Sequence, residues 1–328
     1  MRKITVVWVA MIMVIVFGAC SKDEAKESMY PLTGEKTKEN VDHRVVGVMV
    51  NNHPKARPQS GLSKADIVFE MLVEGDITRF LALYHSEEPK VVGPVRSARE
   101  YYFDLADGYD ALYVYHGAAD FVNDMIEDRG FDHLNGSKFD DDGNLFKRES
   151  FRNSPHNSYL QFKAVTEVAE EEGYDVEKTI DPLPFLSRDE LDSLPGESAE
   201  QIEIHYTMGG SDAVVYNYDE STEMYTRANN GEETVEYDSH DPIEVDNVFV
   251  IEAHHEVMDD EGRRTIDLES GGNAYLIQKG KVNTVQWERQ DGKLIPVKDG
   301  DPLGFVPGKT WVNVVPANPG LEQSVMIE

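Results

Sequence analysis

The sequence has a single cysteine, Cys20, among its 328 residues, so no disulfide can form within the chain. Basic residues are also scarce, because 31 Lys and Arg stand against 62 Asp and Glu and leave a net charge of −31. Such a chain lacks the broad basic surface that binding to a phosphate backbone requires, which excludes nucleic acid as a partner. A local basic pocket is still compatible with this composition.

Metal-binding patterns are missing as well. The chain has no H-E-x-x-H motif, and His254 and His255 are neighbours that would point to opposite faces of a strand. Acidic residues alternate in the 140–144 loop as calcium ligands do, but Phe151 stands where the loop motif ends in glutamate. We therefore predict no metal and no cofactor, with calcium in the 140–144 loop as a minor alternative.

The one long apolar run lies at the N-terminus. Two basic residues precede apolar residues 4–17, and Gly18 and Ala19 lead to Cys20. This order is typical of a secretory signal, and the run is short for a membrane span. A cysteine at its end predicts a lipoprotein signal over 1–20, with Cys20 acylated by groups such as palmitate and anchoring the protein at the extracytoplasmic face of the cell membrane. The alternative is an ordinary secretory signal with an incidental cysteine.

The rest of the chain divides into four segments. Residues 21–42 are polar and lack an apolar period, which predicts a flexible tether. Residues 43–175 combine apolar runs with helix-like stretches and predict a mixed α/β domain, whereas 176–200 is acidic and Pro-rich, as a linker would be. Residues 201–328 favour strands and predict a β-rich domain, so the predicted fold class is α+β.

Apolar runs and turn residues predict the individual elements. Predicted helices cover 101–106, 120–129 and 159–172. Predicted strands cover 44–50, 67–73, 78–85, 111–115, 201–206, 213–218, 223–227, 247–252, 273–279, 282–288 and 310–315.

The most informative stretch runs over 91–100 and contains two arginines. Arg96 and Arg99 are separated by only Ser97 and Ala98, and on a helix this spacing places both guanidinium groups on one face. Arginine forks suit carboxylate and phosphate groups, so the stretch predicts an anion clamp. Surface charges or internal ion pairs are the alternative.

Other polar residues at the ends of apolar runs extend this candidate site. The predicted ligand-binding set is Arg79, Arg96, Ser97, Arg99, His116, Arg152, His156 and Asn157. Glu70 and Glu74 share one face of a predicted strand, so they are candidates for the acid and base of a glycosidase, or for ion-pair partners of the arginines. Ser97 with a histidine would be a nucleophile and base, but the chain has no G-x-S-x-G elbow.

Several of these stretches resemble motifs of the YerB family of bacterial lipoproteins, and the resemblance covers nearly the whole chain beyond the signal. It implies a membrane-anchored extracytoplasmic protein with a mixed N-terminal domain and a β-rich C-terminal domain, both of unknown function. The stretches are PLTG at 31–34, RPQSGLSKADIVFE at 57–70, EGDITRF at 74–80, VGPVRSAR at 92–99, SPHNSY at 154–159, YTR at 225–227, DNVFV at 246–250 and GKTWVNVVP at 308–316.

Three hypotheses for function follow. The leading one is a lipoprotein that binds an anionic envelope ligand, either a peptidoglycan fragment or the acidic segment of a partner protein, at the arginine-lined site. The second is a cell-envelope hydrolase with a Glu/His acid–base pair. The third is a protein scaffold without a small ligand, whose β-rich domain offers a strand edge or an aromatic patch. Trp287 and Trp311 are candidates for that patch, unless both lie in the core.

Overall fold

Short apolar runs bounded by turn residues form strands in both halves of the chain. The computed structural model describes residues 28–207, 209 and 213–328. The strands are β1 Ser28–Met29, β2 Lys36–Thr37, β3 Val46–Asn51, β4 Ile67–Leu72, β5 Thr78–Tyr84, β6 Val91–Val92, β7 Leu112–Tyr115, β8 His133–Asn135, β9 Phe146–Arg148, β10 Ser158–Gln161, β11 Glu197–Ser198, β12 Gln201–His205, β13 Ala213–Asp219, β14 Met224–Asn229, β15 Glu232–Glu233, β16 Glu244–Val245, β17 Asn247–Ala253, β18 His255–Val257, β19 Arg264–Ile266, β20 Gly272–Gln278, β21 Lys281–Gln290, β22 Lys293–Lys298, β23 Asp301–Pro302, β24 Thr310–Pro316 and β25 Val325–Ile327.

Helices are short and fewer than strands in these residues. The α-helices are α1 Glu100–Asp107, α2 Asp120–Asp128, α3 Val165–Glu171, α4 Arg188–Asp192 and α5 Leu321–Ser324, and 3₁₀ turns occupy Pro54–Ala56, Leu62–Lys64 and Phe162–Ala164. The predicted α+β class therefore holds only in part, because strands dominate both halves. The helix predicted over 159–172 begins only at Val165, because the residues before it pair as β10 with β9 and β6.

One sheet runs through both halves. Its strand order is β23-β22-β21-β20-β17-β24-β4-β5-β3-β7-β8. The halves meet where β24 pairs in parallel with β4, from Thr310 opposite Ile67 to Val314 opposite Met71. A second sheet, β15-β14-β13-β12-β25, packs on one face of this main sheet, and α1 and α2 pack on the other. Backbone hydrogen bonds therefore join the two halves directly.

Both connecting segments are packed against this body, which corrects two predictions. Leu32 and Thr33 are fully buried, so the flexible tether predicted over 21–42 is wrong from residue 28 onward, and residues 21–27 lie outside the described part. Leu183, in the predicted linker, is buried and donates its backbone N–H to Pro31 O at 3.0 Å. Isolated apolar residues within these polar segments are buried against the main body and hold the segments in place. They are not apparent from the average composition of the segments, which is polar.

The predicted signal segment over 1–20, including Cys20, lies outside the described residues. Within the described ranges, no helix combines the length and the apolar character needed to span a membrane.

Candidate functional site

The predicted arginine stretch crosses the edge of the main sheet where two parallel strands end. β3 and β7 are parallel neighbours, so the residues after both strands meet at one edge. The stretch pairs with both strand ends, since Arg96 N donates to Met49 O at 2.9 Å and His116 N donates to Arg96 O at 3.0 Å. Ala98 N donates to Gly117 O at 3.1 Å. This pairing keeps the segment extended.

The predicted helical clamp of Arg96 and Arg99 is therefore wrong. α1 begins only at Glu100, and extended residues three apart point to opposite sides of the chain. Arg99 turns to Glu74, with which it forms an ion pair, and donates to Ala98 O at 2.5 Å. Arg79 is buried beneath the segment, donates to Ser97 O at 2.7 Å and lies 3.5 Å from the same Glu74. Both arginines are engaged within the fold.

Arg96 is left without such a partner. Its side chain is half-buried and makes no hydrogen bond or ion pair with any described residue. Burial, with the charge of Arg79 as a second cause, lowers the pKa of Arg96 to about 10. The Ser97 hydroxyl beside it also has no hydrogen-bond partner in the described ranges. A half-buried guanidinium beside a second cation is electrostatically unsatisfied and would gain from a bound anion.

Two histidines from distant segments stack beside Arg96. The rings of His53 and His156 lie 4.7 Å apart between centroids, at an interplanar angle of 29°. Burial is the main cause that lowers the pKa of each, and the charges of Arg96 and Lys55 add to it. Arg57 contributes at His53, so the charges that act on the first ring are all positive. We call Arg96, His53 and His156 the Arg96 cluster.

Local hydrogen bonds fix the tautomer of both stacked rings. The His53 Nδ1 accepts the backbone N–H of Lys55 at 3.1 Å. The His156 Nδ1 lies 2.9 Å from Asn51 Nδ2, and the orientation of that amide is set because Asn51 Oδ1 accepts from His53 N at 3.0 Å. Since both Nδ1 atoms accept, each neutral ring carries its proton on Nε2. The cluster therefore presents donors only, even when both histidines are neutral.

His116 plays a different part from the one predicted. Its Nε2 lies 3.2 Å from Arg148 Nη2, and a guanidinium can only donate, so Nδ1 carries the proton and donates to Ser158 Oγ at 2.7 Å. Ser158 is only 2% exposed and is not accessible as a nucleophile. Arg148 also donates to Asn157 Oδ1 at 2.8 Å. His116 and Asn157 thus belong to a hydrogen-bonded network beside the Arg96 cluster.

The acidic 140–144 loop serves the same network. Asp140 accepts from Arg148 at 2.7 and 3.0 Å, and Asp142 Oδ1 accepts the backbone N–H of Asn144 and Phe146 at 2.9 and 3.0 Å. These oxygens are turned to protein donors. No group of three or more His, Cys, Asp or Glu suited to a metal ion occurs in the described ranges.

Arg152 also acts within the fold. It donates to the carbonyls of Lys55, Arg57 and Pro58 at 2.8, 3.0 and 2.5 Å. These bonds hold the turn that follows His53 against the loop that carries His156. Arg152 therefore positions the Arg96 cluster, and its Nε is buried without a hydrogen-bond partner among the described residues.

The two predicted acid–base candidates are both paired with arginine. Glu70 is fully buried and accepts from Arg227 at 2.9 Å, Trp311 Nε1 at 3.0 Å and Thr78 Oγ1 at 2.8 Å. Glu74 is shared by Arg79 and Arg99. Glu70 is saturated with donors and closed to solvent, so it cannot exchange protons with a substrate. The Glu74 side chain is 31% exposed, but each of its carboxylate oxygens is bound by an arginine, so this geometry gives no support to the hydrolase hypothesis.

Sequence reasoning missed His53, Lys55 and Arg148. His53 comes two residues after Asn51, the last residue of β3, and that position just beyond a strand end was the available signal. Its stacking partner lies in a loop after β9, and nothing in the local pattern links the two rings. Trp287 and Trp311, considered for an exposed patch, are 1% and 0% exposed and belong to the core.

Comparisons with known proteins identify the family. Residues 32–175 match the model described as "Protein of unknown function (DUF3048) N-terminal domain", and residues 202–312 match its C-terminal counterpart. A Bacillus subtilis (strain 168) protein named "Putative lipoprotein YerB" is 46% identical over 296 residues, which cover 90% of this chain and 88% of that protein. A crystal structure of YerB from Bacillus subtilis superposes with a TM-score of 0.84 at 44% identity, covering 92% of this chain and 99% of that one. The resemblance read from the motifs is confirmed, and the chain belongs to the two-domain YerB-like family.

Proposed function

We propose that this protein is a lipoprotein anchored at the extracytoplasmic face of the cell membrane, and that its Arg96 cluster binds an anionic ligand of the envelope. The ligand would be a peptidoglycan fragment or an acidic segment of a partner protein. Arg96 supplies the permanent charge, and the Nε2–H groups of His53 and His156 add donors. Of the other residues predicted from the sequence, Arg79, Arg99, His116, Arg152 and Asn157 hold the surrounding backbone and side chains in place, and Ser97 follows Arg96 in the extended segment with its side chain on the opposite side.

The observation that carries this proposal is the unpaired guanidinium of Arg96. The chain holds 62 acidic residues, and most of its arginines near this edge are matched by carboxylates or carbonyls. Arg96 instead lies near a buried arginine and two histidine rings that present only N–H donors. Like charges at one site cost free energy, and an anion removes that cost while it forms charge-assisted hydrogen bonds.

The acidic remainder of the molecule makes this binding local. A net charge of −31 repels anions over the surface as a whole, so the ligand must gain its affinity from short contacts at the cluster. Such contacts favour ligands that carry one well-placed acid group over long polyanions. Muropeptides, which carry carboxylates on small flexible fragments, fit this requirement.

The proposed membrane anchor is supported by the N-terminal sequence and by the name of the Bacillus subtilis relative. The charged, apolar and small residues before Cys20 form a lipoprotein-type signal, and the Bacillus subtilis relative has a name that describes a lipoprotein. Two acyl chains give enough buried methylene groups for stable membrane attachment. The binding site would then face the envelope, where peptidoglycan fragments are found.

Calorimetry with purified muropeptides tests the function. Arg96→Ala should weaken binding at least about tenfold, since a hydrogen bond to a charged group contributes about 1.5–3 kcal/mol. Arg188→Ala is the matched control, because Arg188 is an exposed arginine of α4 whose side chain makes no hydrogen bond or ion pair with any described residue. If both variants bind muropeptides as tightly as the parent, the assignment of the site fails.

A competition experiment tests whether the same cluster also binds an acidic segment of a partner protein. A short glutamate-rich peptide should displace the bound muropeptide if one cluster accepts both kinds of acid group. Displacement that disappears in Arg96→Ala would assign both ligands to this site.

A further inference from the structure

A second cleft lies away from the Arg96 cluster, between the β4–β5 turn, the β18–β19 hairpin and the turn that follows β24. It has a volume of about 430 Å³. Leu72, Pro316 and Pro319 supply apolar walls, and His254, His255 and Arg264 supply polar ones, while Tyr206, Thr207 and Asn318 complete the lining. These lining residues include no acidic side chain, in a chain where acidic residues outnumber basic ones two to one.

His255, one of the residues that line this cleft, carries an unused acceptor. Its Nδ1 lies 2.9 Å from Ala253 O, and because a carbonyl only accepts, Nδ1 carries the proton. Burial lowers the pKa of His255 to about 4, so the ring stays neutral at ordinary pH. The lone pair on Nε2 is buried and has no hydrogen-bond partner among the described residues. A buried acceptor without a donor is costly, and a ligand N–H would remove that cost.

Arg264 places a donor beside that acceptor. Its Nε donates to Val73 O at 3.2 Å and its Nη2 donates to Gly75 O at 2.9 Å, which fixes the guanidinium plane at the β4–β5 turn. The remaining nitrogen, Nη1, makes no hydrogen bond to any described residue. A guanidinium held in this way is ready to pair with a carboxylate.

The apolar walls give the third element of recognition. Pro319 is partly exposed and offers an apolar surface beside the two polar groups, with the buried Leu72 and Pro316 behind it. A small aliphatic side chain could cover this surface. The ligand must therefore combine an acid group, a neighbouring N–H donor and a small apolar group.

We propose that this cleft binds the free C-terminus of a peptide. The terminal carboxylate pairs with Arg264, the N–H of the last residue donates to His255 Nε2, and the last side chain packs on Pro319. Capture of a terminal carboxylate together with a main-chain group is a recurring mode of peptide recognition. This site does not depend on the Arg96 cluster.

Matched ligands test each contact separately in calorimetry with the full chain. The probe is N-acetyl-alanyl-alanine, compared with its C-terminal amide, which lacks the carboxylate, and with its analogue methylated on the last nitrogen, which lacks the N–H. We expect the amide and the methylated peptide each to bind at least about tenfold more weakly, as loss of one buried hydrogen bond to a charged or orphaned group predicts.

Variants then link each ligand group to one residue. Arg264→Gln lacks the partner of the carboxylate, so this variant should bind the acid and the amide with equal affinity. His255→Phe lacks the partner of the last N–H, so this variant should bind the methylated and unmethylated peptides with equal affinity. Arg96→Ala should bind the probe as the parent does, which separates this site from the proposed function. Near-ultraviolet circular dichroism confirms that each variant is folded.

The chirality of the preferred probe indicates which kind of peptide the cleft binds. L,L and D,D forms of the probe distinguish the C-terminus of a ribosomal protein from that of a wall peptide, and preference for either form supports the site. Equal binding of the acid and its amide by the parent protein, or no binding of any form, would overturn the proposal.

Discussion

Arg227 of β14 donates a hydrogen bond at 2.9 Å to each carboxylate oxygen of Glu70 in β4, across 157 residues of sequence. Both side chains are at most 1% exposed, and the guanidinium also lies 4.8 Å from the centroid of the Trp311 ring in β24. This ion pair joins the second sheet to the main sheet at the seam between the two halves. It therefore explains why a chain with two family domains folds as one body.

Breaking this ion pair should destabilise the whole protein. Arg227→Met leaves the Glu70 charge buried without its partner, and we expect the free energy of unfolding to fall by about 3–5 kcal/mol. The double variant Glu70→Leu, Arg227→Met removes both charges and should recover only part of that loss, because the buried donors of Trp311 and Thr78 then lack their acceptor. Urea unfolding followed by fluorescence measures both values. A loss below about 1 kcal/mol for Arg227→Met would contradict this view of the seam.

Asp66 gives the stability a pH dependence of known sign. Asp66 is fully buried, and burial raises its pKa to about 6 although Ser86 N donates to it at 2.8 Å. Because the folded state holds this proton more tightly than the unfolded state, stability falls as pH rises from about 4 to about 6. Asp66→Asn should therefore gain about 2 kcal/mol relative to the parent between pH 4.5 and pH 7.5, in denaturant unfolding at both values, because part of the stabilisation by the bound proton is already lost at pH 4.5. No change in that difference would contradict the raised pKa.

Cys20→Ser tests the anchor. The change removes the only thiol in the sequence and with it the acylation site, so we expect the variant to leave the membrane fraction while it remains folded. Cell fractionation with detection by antibody measures this. Full retention of the variant in the membrane pellet would mean that residues 4–17 act as an uncleaved anchor.

Strands could be predicted from the sequence because their side chains are buried on regular faces. The predicted strands 247–252 and 310–315 correspond to Asn247–Ala253 and Thr310–Pro316. Their pairing across the seam could not be predicted, because the parallel contact between β24 and β4 depends on residues more than 200 positions apart. The burial of Leu32 could not be predicted for a similar reason. Its segment is held by residues far along the chain, such as Leu183, whose backbone N–H donates to Pro31 O.

The predicted site residues remain a prediction as a ligand site, although the structure shows which of them lie together. The polar residues after β3 and β7 and the arginines at 96 and 99 do lie at one sheet edge. Whether each arginine was free or paired depended on distant partners, such as Glu74 for Arg99 and three loop carbonyls for Arg152. Tautomers likewise follow from hydrogen bonds that only the folded chain creates.

If the Arg96 cluster binds an anion, the pKa values of His53 and His156 respond to the bound charge. A bound anion stabilises the charged rings, so their pKa values should rise on saturation with muropeptide, and affinity should increase as pH falls. Nuclear magnetic resonance titration of both imidazoles, with and without ligand, measures these values in the parent, in Arg96→Ala and in Arg188→Ala. We expect both pKa values to rise in the parent and in Arg188→Ala, and to rise little in Arg96→Ala. Unchanged pKa values in the parent at saturating muropeptide would contradict it.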